Sequence, residues 1–206
     1  VKEGELKPVE QSEWAAPIVI VKKKNGEIRI CADFKTTINP HLCPKTFPLP
    51  TADEVFSTLS QGESFTKLDL ARAFKQMEVS DQSQPLLTIT THLGLFQYCR
   101  LPFGVATAPA MWQRAMSIVL QGCERVVYFM DDILVTGKTR KEHEVNLRKV
   151  FHRLQQFGLR INLAKCRFFQ KSVEYLGHRI SPDGIRPTCR RKNKRDTCST
   201  SSQQQV

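Results

Sequence analysis

Residues 128–135 read Tyr128-Phe129-Met130-Asp131-Asp132-Ile133-Leu134-Val135. The β-branched, aromatic and aliphatic residues at 126–129 and 133–135 predict two short strands. The two carboxylates between them repel each other and are poorly hydrated beside apolar strands, so they should attract a cation or take up a proton. A tight turn would place both on one rim, where their hard oxygen atoms suit Mg²⁺. An ordinary surface turn is the alternative, because Asp is a common turn former.

A third carboxylate ends another strand-like run, Ser64-Phe65-Thr66-Lys67-Leu68-Asp69-Leu70. Two-metal sites for phosphoryl transfer use carboxylates from separate segments, because both ions must lie roughly 4 Å apart. We therefore predict that Asp69 converges with Asp131 and Asp132. Phe74 follows Asp69 by five residues and should lie near that carboxylate. The alternative for Phe74 is ordinary core packing.

The composition is that of a globular protein, with 206 residues of which 40% are hydrophobic. This length suits one large domain or two small lobes. The sequence has no apolar run of about 18 residues and no apolar signal-peptide core at its start, so we predict neither a membrane partner nor secretion. Seven scattered cysteines form no Cys-x-x-Cys pair. This pattern favours reduced intracellular thiols over disulfides or structural zinc.

The net charge of +11 is spread over the whole chain. Residues 188–206 contribute +4, and residues 1–187 carry the remaining +7. Such an excess is typical of a protein that binds a polyanion, although a generic solvated surface is the alternative.

A basic hairpin is predicted near the start of the chain. Asn25-Gly26 separates two β-rich runs at 18–21 and 27–31, which is a strong hairpin signal. Four cationic residues lie at or near its tip, and they would form an arm suited to gripping phosphates: Lys22, Lys23, Lys24 and Arg29. A charged loop that only keeps a sheet edge soluble is the alternative.

Three helices are predicted from their start signals. Residues 51–54 and 139–142 read as capping boxes, the second opening a helix that ends near Gly158. Between them, Thr107 is a possible N-cap and Pro109 suits the first turn of a helix.

Two further strands are predicted at 159–162 and 175–180. His178 has no other histidine or cysteine at ligand spacing, so we interpret it as a structural or backbone-contacting residue.

Seven ordered blocks of this sequence together resemble the fingers and palm of a reverse transcriptase, most closely that of a Gypsy-type LTR retrotransposon polyprotein. The similarity runs over residues 9–187. The blocks are Ser12-Glu13-Trp14-Ala15-Ala16-Pro17-Ile18-Val19, the basic hairpin with Ile30-Cys31-Ala32-Asp33-Phe34-Lys35, Pro48-Leu49-Pro50, Lys67-Leu68-Asp69-Leu70, Leu101-Pro102-Phe103-Gly104, Phe129-Met130-Asp131-Asp132 and Tyr175-Leu176-Gly177-His178.

The resemblance implies an α+β fold, the right-hand polymerase palm, in which helices back an antiparallel sheet beside a fingers subdomain. The thumb is expected to be absent. Residues 1–187 would form the fingers and palm. Residues 188–206, basic and rich in Ser and Gln, would form a disordered tail.

The resemblance also implies roles for individual residues. Asp69, Asp131 and Asp132 would be catalytic and would bind two Mg²⁺ ions, or Mn²⁺, with Asp132 mainly shaping the site. The nucleotide-binding set would be Lys23, Arg29, Leu70, Phe74, Phe103 and Lys165. Within that set, Lys23 and Arg29 would hold the phosphates of the incoming nucleotide, Phe74 would block a 2′-hydroxyl, and Lys165 would act near the leaving pyrophosphate. Leu176 and Gly177 would belong to the primer grip.

Two positions bear on how close the resemblance is. Phe129 stands where the family usually has tyrosine, so we expect altered rather than lost activity. Phe103 stands where retroviral enzymes have glutamine, but phenylalanine is ordinary for the Gypsy type.

The function implied by the resemblance is RNA-directed DNA polymerisation onto a primer 3′-hydroxyl. Its partners would be an RNA or DNA template with primer, deoxynucleoside triphosphates and other parts of a retroelement polyprotein. The location would be intracellular, either cytoplasmic in a virus-like particle or nuclear. One alternative is a truncated or host-recruited remnant that binds nucleic acid without catalysis. Another is a different two-metal nucleotidyl transferase, which would leave the fingers and primer-grip blocks unexplained.

Overall fold

The computed structural model describes residues 4–22, 26, 28–43, 47 and 51–188, and only the backbone of residues 29, 52 and 53. Lys23 and Lys24 of the predicted cationic arm lie outside the described residues, and so do residues 189–206 of the predicted tail. The domain boundary at residue 187 therefore stays a prediction.

A four-stranded antiparallel sheet carries the Asp-containing segments. Its strand order is β7-β8-β4-β9, with β4 at Ser64–Asp69, β7 at Val126–Phe129, β8 at Asp132–Gly137 and β9 at Arg167–Gln170. β7 and β8 are joined by a tight turn at Met130 and Asp131. The predicted strands on both sides of the two carboxylates, and the strand that ends at Asp69, are therefore confirmed.

Helices cover both faces of this sheet. They are α1 at Ala52–Leu59, α2 at Ala108–Val119 and α3 at Arg140–Gln156. On one face α2 and α3 pack against the apolar residues of β4 and β8 in a buried cluster that includes Leu68, Trp112, Met116, Ile133, Leu147 and Val150. On the other face α1 packs through Val55 and Leu59 against Phe65 and Leu134. Each strand contributes apolar residues to both clusters, because successive side chains along a strand point to opposite faces of the sheet.

The helix starts agree only in part with the predicted caps. At α1, the Thr51 hydroxyl accepts from the Glu54 amide and the Glu54 carboxylate accepts from the Thr51 amide, which confirms this capping box. At α3, the Thr139 hydroxyl accepts from the Glu142 amide, as a capping box requires. The Glu142 carboxylate, however, accepts from the amide of Lys138 and not from that of Thr139. The second box is therefore only half formed.

Thr107 occupies the N-cap position of α2 but makes no capping hydrogen bond. Its φ of −88° and ψ of −6° are helical, whereas a capping side chain normally requires an extended backbone. Its hydroxyl instead lies 3.7 Å from the sulfur of Met111.

Three smaller sheets complete the fold. The first has the order β1-β6-β5, with β1 at Leu6–Val9, β5 at Thr88–Thr91 and β6 at Gly94–Tyr98. The second is the predicted hairpin, β2 at Ile18–Lys22 paired with β3 at Ile28–Ala32. The third has the order β10-β11-β12, with β10 at Val173–Tyr175, β11 at His178–Ser181 and β12 at Gly184–Pro187. Phe34, Ile89, Tyr98 and Leu101 belong to one buried cluster, to which residues of the first two sheets contribute.

Two strand predictions are wrong in extent. The run at 159–162 makes only a single bridge, between Ile161 and Leu70, because the chain enters a 3₁₀ turn at Leu163–Lys165. The run at 175–180 is interrupted by Leu176 and Gly177, whose φ angles of 48° and 76° turn the chain between β10 and β11. His178 contacts the backbone as expected, with Nδ1 3.1 Å from the Leu176 carbonyl oxygen.

The five cysteines of the described residues are free thiols, and Cys166 is buried. Cys189 and Cys198 lie outside those residues. Among the described helices, none is long and apolar enough to cross a membrane.

Candidate active site

The end of β4 and the β7–β8 turn bring the three predicted carboxylate residues together. Asp69 and Asp132 are directly opposite each other across β4 and β8, so their side chains share one face of the sheet. The amide of Leu70 donates to the carbonyl of Asp131 over 2.8 Å, which ties the turn to the residue after Asp69. Asp69, Asp131 and Asp132 are therefore neighbours on two adjoining segments, and each is half-buried.

The turn that carries Asp131 is held by α2. Met130 has a φ of 54°, a left-handed conformation that is uncommon for a residue other than glycine. The indole N–H of buried Trp112 donates to the Met130 carbonyl over 2.8 Å, and the Gln113 amide donates to the Tyr128 carbonyl over 3.4 Å. Strained backbone of this kind persists where surrounding contacts fix it. Trp112 and Gln113 thus position the Asp131–Asp132 corner.

The carboxyl end of β4 is held by the segment that follows α3. The Asn162 amide donates to the Asp69 carbonyl over 2.7 Å, and the Ala71 amide donates to the Arg160 carbonyl over 2.9 Å. The Asp69 amide points at the buried thiol of Cys166, 3.5 Å away. The same segment brings the Lys165 ammonium to 3.6 Å from the Asp69 carboxylate, so this predicted residue does lie at the site.

Two ammonium groups bind carboxylates of this corner. Lys67 Nζ lies 2.7 Å from Asp132 Oδ2, and Lys165 approaches Asp69 as described. Within the described ranges, no three His, Cys, Asp or Glu side chains stand close enough together to hold a metal ion as they are oriented. The donors are nevertheless carboxylate oxygens, which suit Mg²⁺, and those of Asp69 and Asp132 share one face and already attract cations. The residues therefore fit a divalent cation by chemistry and backbone placement, and ligation by all three requires rotation of side chains.

Aromatic residues border the corner on the side of α2. Phe74 lies in the 3₁₀ turn Ala73–Gln76, and its ring centre is 5.3 Å from that of Phe103 and 6.2 Å from that of Trp112. The fold thus brings together Phe74 and Phe103, two predicted nucleotide-binding residues. The side chain of Leu70 is 1% exposed and belongs to the core, so contact of Leu70 with a nucleotide is limited to its backbone.

The loop that bears Phe103 is fixed to the 3₁₀ turn Asn39–His41 through contacts of Asn39 and Gly104. Asn39 donates to the Gly104 carbonyl and accepts from the Ala106 amide, each over 2.9 Å. Gly104 has a φ of 100°, and a β-carbon there would lie 2.6 Å from the Ala32 carbonyl oxygen. Only glycine fits this close approach.

We expect Gly104→Ala to lower the free energy of unfolding by roughly 2–5 kcal/mol, because strained backbone and a backbone clash both contribute. Gly94→Ala is the matched control, since Gly94 has a φ of 111° and nothing within 4 Å of its β-carbon position. It should lose only about 1–3 kcal/mol from strain. Denaturant unfolding followed by circular dichroism measures both. Equal losses in the two variants would show that the clash at Ala32 is relieved at no cost.

The predicted primer-grip residues form the turn between β10 and β11. Leu176 is 39% exposed. This turn borders a cavity of 480 Å³, lined by Lys67, Glu174, Tyr175, Leu176, Gly177 and Thr188. Burial raises the pKa of the Tyr175 phenol above its ordinary value, and the nearby Asp132 adds to that rise. Lys67 lines this cavity and also binds Asp132, so its side chain connects the turn at Leu176 and Gly177 with the Asp residues.

The predicted phosphate-holding residues of the fingers are placed only in part. The backbone of Arg29 pairs with Val21 in the β2–β3 hairpin, while the Arg29 side chain and all of Lys23 lie outside the described residues. Their contact with a nucleotide stays a prediction.

Phe129 is paired with Asp132 at the end of β7. Its ring packs against the buried cluster below α1, which an apolar side chain can do as well as tyrosine. The effect of this residue on activity stays a prediction.

Several residues that shape the corner were not found from the sequence. Lys67 belongs to the block Lys67-Leu68-Asp69-Leu70, and its position two residues before Asp69 places it on the same face of the strand, which is the available signal. Trp112, Gln113, Asn39 and Cys166 act through contacts between distant segments, and no local pattern marks them.

Comparison with known proteins places this chain in a family. The family model described as reverse transcriptase (RNA-dependent DNA polymerase) matches residues 21–180. The uncharacterised protein K02A2.6 of Caenorhabditis elegans is 40% identical over 186 residues, which cover 89% of this chain and 14% of that protein. The Transposon Tf2-3 polyprotein of Schizosaccharomyces pombe is 34% identical over 175 residues, which cover 84% of this chain and 13% of the polyprotein. The chain thus spans about one seventh of the length of these relatives.

The fold is also found in a solved structure. A foamy viral protease-reverse transcriptase in complex with double-stranded DNA matches with a TM-score of 0.83 and 25% identity, over 91% of this chain and 33% of that one. This similarity confirms the predicted α+β fold of fingers and palm, and the described residues contain no thumb. The predicted likeness to retrotransposon polyproteins is confirmed as well. Since the family model covers most of its length, the chain belongs to the reverse transcriptase (RNA-dependent DNA polymerase) family.

Proposed function

We propose that this chain supplies the catalytic corner of an RNA-directed DNA polymerase, which adds deoxynucleotides to a primer 3′-hydroxyl. The observation that carries the proposal is the pairing of Asp69 with Asp132 across β4 and β8, with the backbone of Asp131 hydrogen-bonded to Leu70. Carboxylates converging from separate segments are the arrangement that two-metal nucleotidyl transfer requires.

Asp69, Asp131 and Asp132 would hold two Mg²⁺ ions, or Mn²⁺. When bound, such ions supply Lewis-acid stabilisation of the charge that develops on the attacking and leaving oxygens. Lys165, 66% exposed beside Asp69, is long enough to leave the carboxylate and neutralise charge on a departing pyrophosphate. The rings of Phe74 and Phe103 would border the sugar of the incoming nucleotide.

The proposed partners are an RNA or DNA template with primer, deoxynucleoside triphosphates and other parts of a retroelement polyprotein. The charge of +7 on residues 1–187 supports contact with phosphates, while sequence would be read by base pairing. The foamy viral relative was solved with double-stranded DNA, which supports a similar ligand here. The proposed location is intracellular, in cytoplasmic virus-like particles or in the nucleus.

Primer extension on an RNA template with the purified 206-residue chain tests the proposal. We expect weak, distributive extension at low salt with Mg²⁺, because no thumb among the described residues holds the duplex and phosphate contacts weaken steeply with salt. Protein that binds primer–template but extends it at no salt concentration and with no divalent ion would favour the non-catalytic remnant.

We expect Phe74→Val to raise incorporation of ribonucleotides relative to deoxynucleotides by roughly tenfold to a hundredfold, the range in which a change in pocket size alters discrimination. The smaller side chain would leave room for a 2′-hydroxyl. Single-nucleotide extension with each substrate measures the ratio. Phe151→Val is the control, because Phe151 of α3 is partly buried against Phe168 of β9 and its substitution should leave the ratio unchanged. An unchanged ratio in Phe74→Val would make Phe74 a core residue only.

A further inference from the structure

The side chain of Gln76 binds the backbone of two separate segments. Its amide nitrogen donates to the Ala71 carbonyl over 2.7 Å and to the Arg160 carbonyl over 3.0 Å, and its oxygen accepts from the Arg160 amide over 2.7 Å. The reverse orientation of this amide would set its oxygen against two carbonyl oxygens, so the contacts fix which atom is nitrogen. Gln76 therefore pairs with Arg160 much as a residue of a neighbouring strand would.

These hydrogen bonds close the segment that contains Phe74 into a loop. The Ala71 amide donates over 2.9 Å to the same Arg160 carbonyl, so both ends of residues 71–76 are bound to one residue. Phe74 lies between them, in the 3₁₀ turn Ala73–Gln76. Hydrogen bonds within a 3₁₀ turn have poor geometry, so contacts from outside the turn decide where its side chains lie.

The segment after α3 also holds the end of β4. Two residues beyond Arg160, the Asn162 amide donates to the Asp69 carbonyl over 2.7 Å. Through Arg160, Gln76 thus joins the turn that carries Phe74 to the backbone that positions Asp69. The distance between the Phe74 ring and the Asp69 carboxylate depends on this connection.

We propose that Gln76 is a positioning residue for sugar selection, which holds Phe74 at a fixed distance from Asp69, an inference that rests on the proposed function. A ring that excludes a 2′-hydroxyl must be placed accurately, since a shift of about 1 Å at a reacting site can cost roughly a hundredfold in rate. Without the Gln76 contacts the turn moves, so a ribonucleotide fits more easily and a deoxynucleotide is held less well.

The test is single-nucleotide extension by the full chain, with a ribonucleotide and the deoxynucleotide of the same base. Gln76→Met keeps the length of the side chain and removes its three hydrogen bonds. It should raise the incorporation of ribonucleotide relative to deoxynucleotide by about three- to tenfold. A general loss of folded protein lowers both rates equally and leaves this ratio unchanged.

Gln84→Met is the matched control. The Gln84 amide also donates twice within a turn, to the Val79 carbonyl and to the Asp81 carboxylate, each over 2.9 Å. Neither bond involves residues 71–76, so the variant should lose stability without a change in the ratio.

A double-mutant cycle with Phe74→Val shows whether Gln76 acts through Phe74. In the Phe74→Val background no ring remains to be positioned, so Gln76→Met should change the ratio by less than about twofold. A further rise as large as that in the wild-type background would overturn the proposal, and so would an unchanged ratio in Gln76→Met alone.

Gln76→Glu decides the question if Gln76→Met does not fold, as judged by circular dichroism. Its carboxylate keeps the acceptor for the Arg160 amide but loses both donors, so the ratio should rise by about two- to fivefold, and an unchanged ratio overturns the proposal. If the wild type extends the primer but the variants keep its ratio, the inference fails alone. If the wild type extends with neither nucleotide, the proposed function fails and the inference fails with it.

Discussion

The Asp131→Asn variant should lose primer extension by about a thousandfold or more, because a ligand charge at a two-metal site is worth several kcal/mol in the transition state. Its binding to a primer–template without metal should match the wild type, since removal of a negative charge cannot weaken attraction to phosphates. The backbone contact from Leu70 to the Asp131 carbonyl does not involve the altered side chain, so the turn should keep its shape.

Extension and metal-free binding are measured together on the wild type, on Asp131→Asn and on Asp183→Asn. Asp183 is exposed in the turn between β11 and β12, so its substitution controls for the general loss of a carboxylate. Loss of both properties in Asp131→Asn would indicate misfolding. Extension that persists would remove Asp131 from the mechanism.

Trp112→Ala should lower the free energy of unfolding by about 3–5 kcal/mol, the usual cost of truncating a buried aromatic residue. Trp112 is 1% exposed in the cluster between α2 and the sheet. Trp112→Phe keeps most of that packing but leaves the Met130 carbonyl without its indole donor, which should cost about 1–3 kcal/mol. Denaturant unfolding measures both variants.

The more informative result is the activity of Trp112→Phe. Because the indole holds the strained turn before Asp131, extension should fall further than the loss of folded protein explains. Trp14→Phe is the control, since Trp14 is only partly buried and its ring contacts that of His41. Full activity in well-folded Trp112→Phe would show that the turn keeps its shape without this hydrogen bond.

The sequence was most informative where one local pattern determined the structure. Adjacent carboxylates between two apolar runs predicted the β7–β8 turn, and Thr51 with Glu54 predicted the start of α1, because both signals act within a few residues. The turn at Leu176 was missed because a leucine with a positive φ has no local signature.

Contacts between distant segments account for the other failures. Residues 159–162 have the composition of a strand, yet they form no full ladder of hydrogen bonds. Their backbone groups instead bond to Asp69 and Ala71 at the end of β4 and form a single bridge with Leu70. The pairing of Lys67 with Asp132 depends on the register of β4 against β8, which the sequence does not state. Glu142 likewise accepts from Lys138 and binds Arg125, which competes with the predicted capping box.

Side chains of β8 alternate between the two faces of the sheet, so one register determines both the position of the Asp132 carboxylate and the packing of the core. A slip of β8 by one residue against β4 would exchange its two faces. Ile133, which is fully buried beneath α2 and α3, would move to the opposite face of the sheet, and Asp132 would be forced toward Leu68 in that buried cluster. Burial of an unpaired carboxylate is far more costly than the loss of one apolar contact. Packing of the core therefore disfavours the insertion or deletion of a single residue in the β7–β8 turn. The same apolar residues that stabilise the sheet also fix the register, and with it the distance between Asp69 and Asp132.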